Sequence, residues 1–316
     1  MSLSEAIKHK ALELGFDAAG ITDTSPLQHE QVAFFNRWLE AGFAAQMAYM
    51  ARNLEKRVNP RQLLEGAESV IAVAIGYKLA PVQPPPQTAP AGRVAAYAQY
   101  QDYHIVMKNL LRKLAEFIES QVHKTLNFKL CVDSAPIAER ALAARAGLGF
   151  IGKNCMLINP ELGPQVFLGE IITDLHLEID HPVQGGCGDC DKCIKACPTG
   201  ALRADGLIDT NKCISYLTIE QKGGISGELA EKIGDRLFGC DECVLACPYQ
   251  KQAPSSRNPL LKFYPQRASI DLLRVMNMDS ADFDTEFVDS TIKRSGLDML
   301  KRNAAICLKN LERRQV

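Results

Sequence analysis

No stretch of this chain approaches the ~18 consecutive apolar residues that a membrane-spanning helix needs. The opening MSLSEAIKHK has neither an apolar segment nor a small-residue cleavage site, so an export signal is not expected. An excess of charge is missing as well. With 36 Lys and Arg against 37 Asp and Glu, any nucleic-acid binding must come from a local patch and not from the molecule as a whole. Aromatic residues are few, at 7%, and the single tryptophan, Trp38, is expected to pack in a core. Cysteine is nearly absent over most of the chain. Only Cys131, Cys155 and Cys307 lie outside residues 187–247, and they read as small buried hydrophobes. What remains is 316 residues with 47% apolar and 23% charged content, the composition of a folded globular protein of about two domains.

Ser2 and Glu5 have the spacing of a capping box, and Leu3, Ile7, Ala11 and Leu14 share one face, which predicts an opening helix. Gly15 to Ile21 reads as a turn into a short strand, and Gln31 to Ala44 as a second helix. The run SVIAVAIGY, Ser69 to Tyr77, is continuous and rich in β-branched residues, the pattern of a buried strand. Residues 81–92 hold five prolines and read as a surface connector with polyproline character. Helical periodicity returns from His104 to Gln121. Phe128 to Val132 then reads as a strand that delivers Asp133 at its end, followed by a helix from Ile137 to Ala146 and a strand from Val166 to Thr173. This mixture predicts an α/β layered domain up to about residue 180.

Beyond that point cysteine spacing replaces periodicity. Cys187-x2-Cys190-x2-Cys193-x3-Cys197-Pro198 is the bacterial iron–sulfur run, whose fourth cysteine serves the other of two clusters. Cys213 and then Cys240-x2-Cys243-x3-Cys247-Pro248 repeat it, with 26 residues inserted after the first cysteine. Exchange of the fourth ligands assigns Cys187, Cys190, Cys193 and Cys247 to cluster one, and Cys197, Cys213, Cys240 and Cys243 to cluster two. Zinc is the competing reading of paired cysteines, but two Cys-Pro endings belong to the iron–sulfur pattern. Clustered cysteines without a disulfide context point to a reducing cytoplasm.

Three weaker signals accompany them. Gly147-x-Gly149-x-x-Gly152 mimics a dinucleotide fingerprint, but it follows a helical stretch and runs toward Pro160 and Pro164, so it reads as a close-packed turn. Asp133 sits between a strand and a helix. It fits a helix cap, together with Ser134, or a general acid, which would need its pKa raised by burial; Glu139 and Arg140 read as a surface pair. Residues 293–316 hold seven Lys and Arg against two Asp and Glu. That excess is either a solvated helix face or a phosphate-binding one using Arg302, Lys309 and Arg313.

Taken together, VDSAPIAERALAARAGLGFIGKN, FLGEIITDL, the CxxCxxCxxxCPTGAL run, KCISYLTIEQKG and GCDECVLACP resemble the epoxyqueuosine reductases. The resemblance extends in order from MAYMARNLEKRVNPRQLL, near residue 47, to about Asn310. It implies an α+β fold: an α/β, nitroreductase-like cobalamin-binding catalytic domain over 1–180, a ferredoxin-like domain with two [4Fe-4S] clusters over 181–255, and a short helical C-terminus over 256–316. It also implies a cytoplasmic, monomeric oxidoreductase that converts epoxyqueuosine to queuosine at the wobble position of tRNA, the last step of queuosine biosynthesis. A low-potential donor such as ferredoxin or flavodoxin would feed it electrons. Carried over by position, Asp133 matches the proton donor and Arg57 a cobalamin-contacting arginine. Tyr97, Lys153, Asn154 and the stretch from Ser215 to Lys222 match the surroundings of corrin and substrate. The insertion after Cys213 would then cover the cofactor beside cluster two. Asp102-x-His104 is followed by Met107 where a cobalt-ligating histidine motif needs glycine, in keeping with cobalamin whose lower base is displaced. Tyr100, Phe150, Cys155 and Tyr249 depart from the family's usual residues. Longer relatives carry a helical-repeat tail that helps hold tRNA, so here that grip is expected from residues 293–316 and the cluster domain. Two readings compete. A cobalamin-dependent reductive dehalogenase shares both cofactors but would carry a twin-arginine export signal. A two-cluster electron carrier without cobalamin accounts for residues 187–250 and leaves Arg57 and Asp133 unexplained.

Overall fold

A computed structural model describes residues 1–79, 89–123, 125–255 and 258–313. Most of the proline-rich connector, residues 81–88, lies outside the described residues. The strands are β1 (Ala18–Asp23), β2 (Ser69–Gly76), β3 (Ala91–Val94), β4 (Phe128–Cys131), β5 (Phe150–Ile151), β6 (Leu157–Ile158), β7 (Val166–Thr173), β8 (Arg236–Phe238) and β9 (Ser269–Asp271). Four of them form the main sheet in the order β1-β2-β7-β4, with every neighbouring pair antiparallel.

All eight residues of β2 and all eight of β7 are buried. Such unbroken apolar runs require cover on both faces of the sheet. On one face, Ile71, Val73, Ile75 and Ile171 pack against the opening helix Leu3–Leu14 and the helix Tyr103–Val122 through Ile7, Met107, Leu111 and Leu114. On the other, Leu142 of the helix Glu139–Arg145 packs on Val70, Cys131 and Ile172. The result is the expected helix–sheet layering, built on an antiparallel sheet. The opening helix has its capping box from Ser2 and Glu5. Gly147-x-Gly149-x-x-Gly152 is a packed turn into the β5–β6 hairpin: a Cβ on Gly149 would lie 2.2 Å from the Ile158 carbonyl oxygen.

A second sheet, in the order β8-β3-β9, knits distant parts of the chain together. β3 runs parallel to β8 and antiparallel to β9. Leu237, Phe238, Ile270, Leu272 and Val275 form its core with Leu300, Ala304 and Cys307 of the C-terminal helix Leu297–Arg313. Asn303 and Asn310, on the same buried face, donate to the carbonyls of Thr218, Leu237, Ala230 and Gly234. Trp38 is buried, and its indole nitrogen donates to the Ile208 carbonyl at 2.8 Å. That bond and the bond from Asn211 to the Gly42 carbonyl fasten the N-terminal segment onto the cysteine-rich region. Among the described residues no helix is long and apolar enough to cross a membrane.

Candidate active site

β4 ends at Cys131, and two residues later Asp133 has φ 52°, left-handed backbone that a non-glycine residue rarely adopts. Its backbone N–H donates to the Glu139 carboxylate, which holds this strained turn against the following helix. Neither Asp133 nor Ser134 caps that helix: the N-cap is Ala138, with no side-chain cap. Asp133 is therefore free of the capping role that its position allowed.

The Asp133 side chain, 55% exposed, points Oδ2 at His104 Nε2, 3.1 Å away. His104 is 4% exposed, stacks on Tyr103, and shares its other nitrogen, Nδ1, with Asp102 Oδ1 at 2.5 Å. Asp102 also caps the helix Tyr103–Val122, and this fixes its carboxylate under the imidazole. Arg294 completes the group, with Nη1 3.0 Å from His104 Nε2 and 3.8 Å from Asp133 Oδ2. Burial works against charge on His104, but its bonds to Asp102 and Asp133 outweigh that and raise its pKa. His104 in turn lowers the pKa of Asp133 against the pull of burial. An acid kept protonated by burial was the expectation; the structure shows the reverse. His104 favours the ionised form of Asp133, which is the solvent-facing end of an Asp–His–Asp array.

Glu139 is no surface ion. Burial, and after it the charge of Asp133, pushes its carboxyl up to about 7. Glu170, in the middle of β7, is 0% exposed, and neither of its carboxyl oxygens has a hydrogen-bond partner. Burial drives its pKa well above the ordinary carboxyl value, and Glu139 adds to the effect. A neutral carboxylic acid thus lies beneath the Asp133 turn.

Several sequence-selected residues converge on this turn. Arg57 donates from Nη1 to the Ile137 carbonyl at 3.4 Å, and its buried Nε has no partner. Burial, and after it the charges of Asp241 (next to Cys240) and Asp133, raises the Tyr97 pKa. Gln46 accepts from the Lys222 backbone N–H, and Gln46 N–H donates to the Tyr216 hydroxyl, so the stretch from Ser215 to Lys222 docks on the segment that leads to Arg57. Burial raises the Cys213 pKa, and the backbone of Tyr216 and Ser215 opposes that rise, while the Lys222 side chain is exposed.

The cysteines gather in two groups. Cys187, Cys190, Cys193 and Cys247 line one cavity of about 50 Å³, with Lys153, Asn154 and Tyr249 in its wall. Burial pushes the Cys243 thiol up, and the charges of Cys240, Cys213 and Cys197 push the same way. Among the described residues no three His, Cys, Asp or Glu side chains converge on a single ion. Cys155 lies between the sets, influenced by Cys193 and Cys213. Cys131 and Cys307 are fully buried, with pKa values pushed by burial to about 12. Phe150 and Tyr249 meet edge-on at 5.5 Å beside Cys247 and Cys187. The larger cavity, about 440 Å³, is bounded by Lys78, Arg93, Arg236 and Cys240, and Asp133 does not line it.

The basic C-terminus is largely occupied. Arg302 donates to the carbonyls of Leu217, Gln221 and Gly223, and Arg313, though exposed, pairs with Glu231; Lys309, the third member of the expected phosphate-binding trio, is exposed. Sequence reasoning passed over Asp102, His104, Glu170 and Arg294 as site residues. No motif spacing joins them, because the contacts span 29 residues to Asp133 and 190 to Arg294.

A family model described as epoxyqueuosine reductase QueG, DUF1730, matches residues 57–134, and a 4Fe-4S double cluster binding domain matches residues 186–250. The epoxyqueuosine reductase of Vibrio cholerae is 38% identical over 316 residues, covering 98% of this chain and 83% of its own. An epoxyqueuosine reductase solved with a tRNA-Tyr epoxyqueuosine-modified stem loop superposes with a TM-score of 0.92 at 32% identity, over 98% of this chain and 82% of that one. The Bacillus subtilis epoxyqueuosine reductase, solved with its catalytic aspartate loop swung out of the active site, gives 0.91 at 32% identity over 98% and 82%. Full-length identity and superposition together place this chain in the epoxyqueuosine reductase family.

Proposed function

We propose that this protein reduces epoxyqueuosine to queuosine in tRNA. The reading is carried by the Asp102–His104–Asp133 array, a proton source presented to solvent beside the cysteine-rich domain in a chain of this family. The reaction adds two electrons and two protons, breaks both carbon–oxygen bonds of the epoxide, and leaves a carbon–carbon double bond and water.

The double-cluster domain points to two [4Fe-4S] clusters, and we assign their ligands as Cys187, Cys190, Cys193 and Cys247 for cluster one and Cys197, Cys213, Cys240 and Cys243 for cluster two. The residues at the Asp133 turn also suit cobalamin. Arg57 keeps a buried Nε–H with no protein acceptor, a donor suited to the polar rim of a corrin, and the Asp133 side chain is exposed. Cobalamin would supply the reducing or nucleophilic metal centre that such a cofactor brings. Arg57, Tyr97, Asp133, Ser215 and Lys222 would hold it, with Lys153 and Asn154 on the side of cluster one. Tyr97, which feels the charge of Asp241 next to Cys240, and Ser215, beside Cys213, would lie on the side of cluster two.

The chain's own task is proton delivery. His104 Nε2 can donate to Asp133 or accept from Arg294, but not both at once. With the proton on Nε2, the imidazole feeds Asp133, which passes it to the leaving oxygen. Once the proton has left, the Arg294 guanidinium occupies the exposed lone pair and stabilises the neutral ring. Asp102 holds the ring in place throughout. We take a ferredoxin- or flavodoxin-like protein as the donor, a monomer as the working form and the cytoplasm as the compartment, with domain divisions near residues 180 and 255.

The test is reconstitution. Protein loaded with iron, sulfide and cobalamin, then supplied with a low-potential reductant, should convert epoxyqueuosine-tRNA to queuosine-tRNA by nucleoside mass spectrometry. Unchanged substrate with both cofactors present would refute the proposal.

A further inference from the structure

The loop between β5 and β6 carries a polar group that the protein itself does not satisfy. Asn154 is 4% exposed, and its Oδ1 accepts the Met156 backbone N–H at 3.2 Å. That bond fixes which end of the amide is oxygen. The other end, Nδ2, is buried with no hydrogen-bond partner. A buried amide N–H without an acceptor loses its hydration for nothing in return, so such groups in folded proteins mark an absent ligand or a functional need.

The surroundings identify the acceptor. Asn154 lines the small cavity bounded by Cys187, Cys190, Cys193 and Cys247. The preceding residue already donates to this set: the Lys153 backbone N–H lies 3.4 Å from Cys187 Sγ. The Lys153 ammonium is anchored 2.7 Å from the Gly188 carbonyl, which ties the hairpin loop to the cysteine loop. Gly152 allows the tight turn, since a Cβ there would sit 2.9 Å from Asn154 Oδ1 and 2.4 Å from the Ile158 side chain. The Lys153 N–H on Cys187 and the unpartnered amide of Asn154 thus lie on consecutive residues in the wall of one cysteine set, outside the cysteine motif.

We propose that Asn154 donates from Nδ2 to a sulfur of cluster one and, with the Lys153 N–H on Cys187, raises that cluster's reduction potential. Reduction adds one electron to a centre already made negative by four thiolates, and hydrogen bonds to sulfur stabilise the more negative state. The proposal rests on the assignment of Cys187, Cys190, Cys193 and Cys247 to a single cubane.

The experiment is a potentiometric titration of the reconstituted protein, followed by electron paramagnetic resonance of both reduced clusters. Asn154→Asp keeps the acceptor for Met156 and removes the donor; Asn154→Leu removes both. A Cys190→Ala variant identifies the signal of cluster one as the one that disappears, with iron content falling from about eight atoms to about four. In both Asn154 variants the cluster-one couple should become harder to reduce by at least tenfold, about 59 mV for a one-electron step, while cluster two stays in place as internal control. An unmoved cluster-one couple, or a shift confined to cluster two, would overturn the role of Asn154. Full iron content in Cys190→Ala would instead overturn the ligand assignment. A failed assembly in Asn154→Asp would leave Asn154→Leu, which adds no charge, to decide.

Discussion

Glu139 offers the sharpest physical test of the site. Its carboxyl titrates near 7 where 4.5 is ordinary, because burial and the neighbouring Asp133 charge disfavour its ionised form. Folding therefore holds a proton on Glu139 that the unfolded chain has already released. A raised carboxyl pKa costs nothing below 4.5, where both states are protonated. The penalty grows as pH climbs from 4.5 to about 7 and is complete above it. A displacement of this size amounts to about 3 kcal/mol, a large share of the roughly 5–15 kcal/mol that holds a domain together. The groups that face Glu139 set the sign together: Asp133 and Glu170 oppose its ionisation, while Arg140, Arg57 and His104 favour it. Glu139→Gln removes this titration but retains an oxygen to accept the Asp133 N–H. Thermal or urea unfolding of wild type and variant across pH 4.5 to 8 should show the two curves diverging, the variant gaining about 3 kcal/mol on wild type by pH 8. Its turnover should persist, since the Asp133 turn is still held. Glu139→Leu removes the acceptor as well and should lose turnover. Parallel stability curves for wild type and Glu139→Gln would refute a Glu139 carboxyl whose ionisation the fold disfavours.

Asp133→Asn should retain the clusters and their spectra while single-turnover reduction slows by roughly 10²-fold or more, the usual worth of a positioned acid; an undiminished rate removes Asp133 from proton delivery. Arg294→Gln takes away the positive charge that lowers the His104 pKa, so the alkaline limb of the pH–rate profile should move to higher pH. A profile that stays in place would show that Arg294 does not act on the imidazole. Arg302→Ala breaks three bonds from a guanidinium to backbone carbonyls and should cost about 2 kcal/mol in stability. Binding of tRNA, measured at matched salt, should be unaffected, whereas Lys309→Glu should weaken it and reduce its salt dependence.

Local rules made part of this protein readable from its residues. Capping and 3.6-residue periodicity delimited the opening helix, and unbroken β-branched runs marked β2 and β7, since a strand covered on both faces needs no polar alternation. Cysteine spacing was legible because a cluster is gripped by short loops, and the motif segments around Arg57 and Asp133 identified the family. What sequence could not supply was any contact closed by folding over long separations. Asp133 read as a helix cap or a buried acid, yet its pKa is lowered because His104, 29 residues earlier, meets it across the end of the sheet. Glu139 looked like one half of a surface pair until the packing of its helix on β7 set it beside Glu170. Arg302 looked available for phosphate, and only the docking of the last helix committed it to backbone carbonyls. Spacing and periodicity report what a residue does to its own segment. Desolvation and charge come from whatever the tertiary fold brings against it, and at this site they decide where the proton sits.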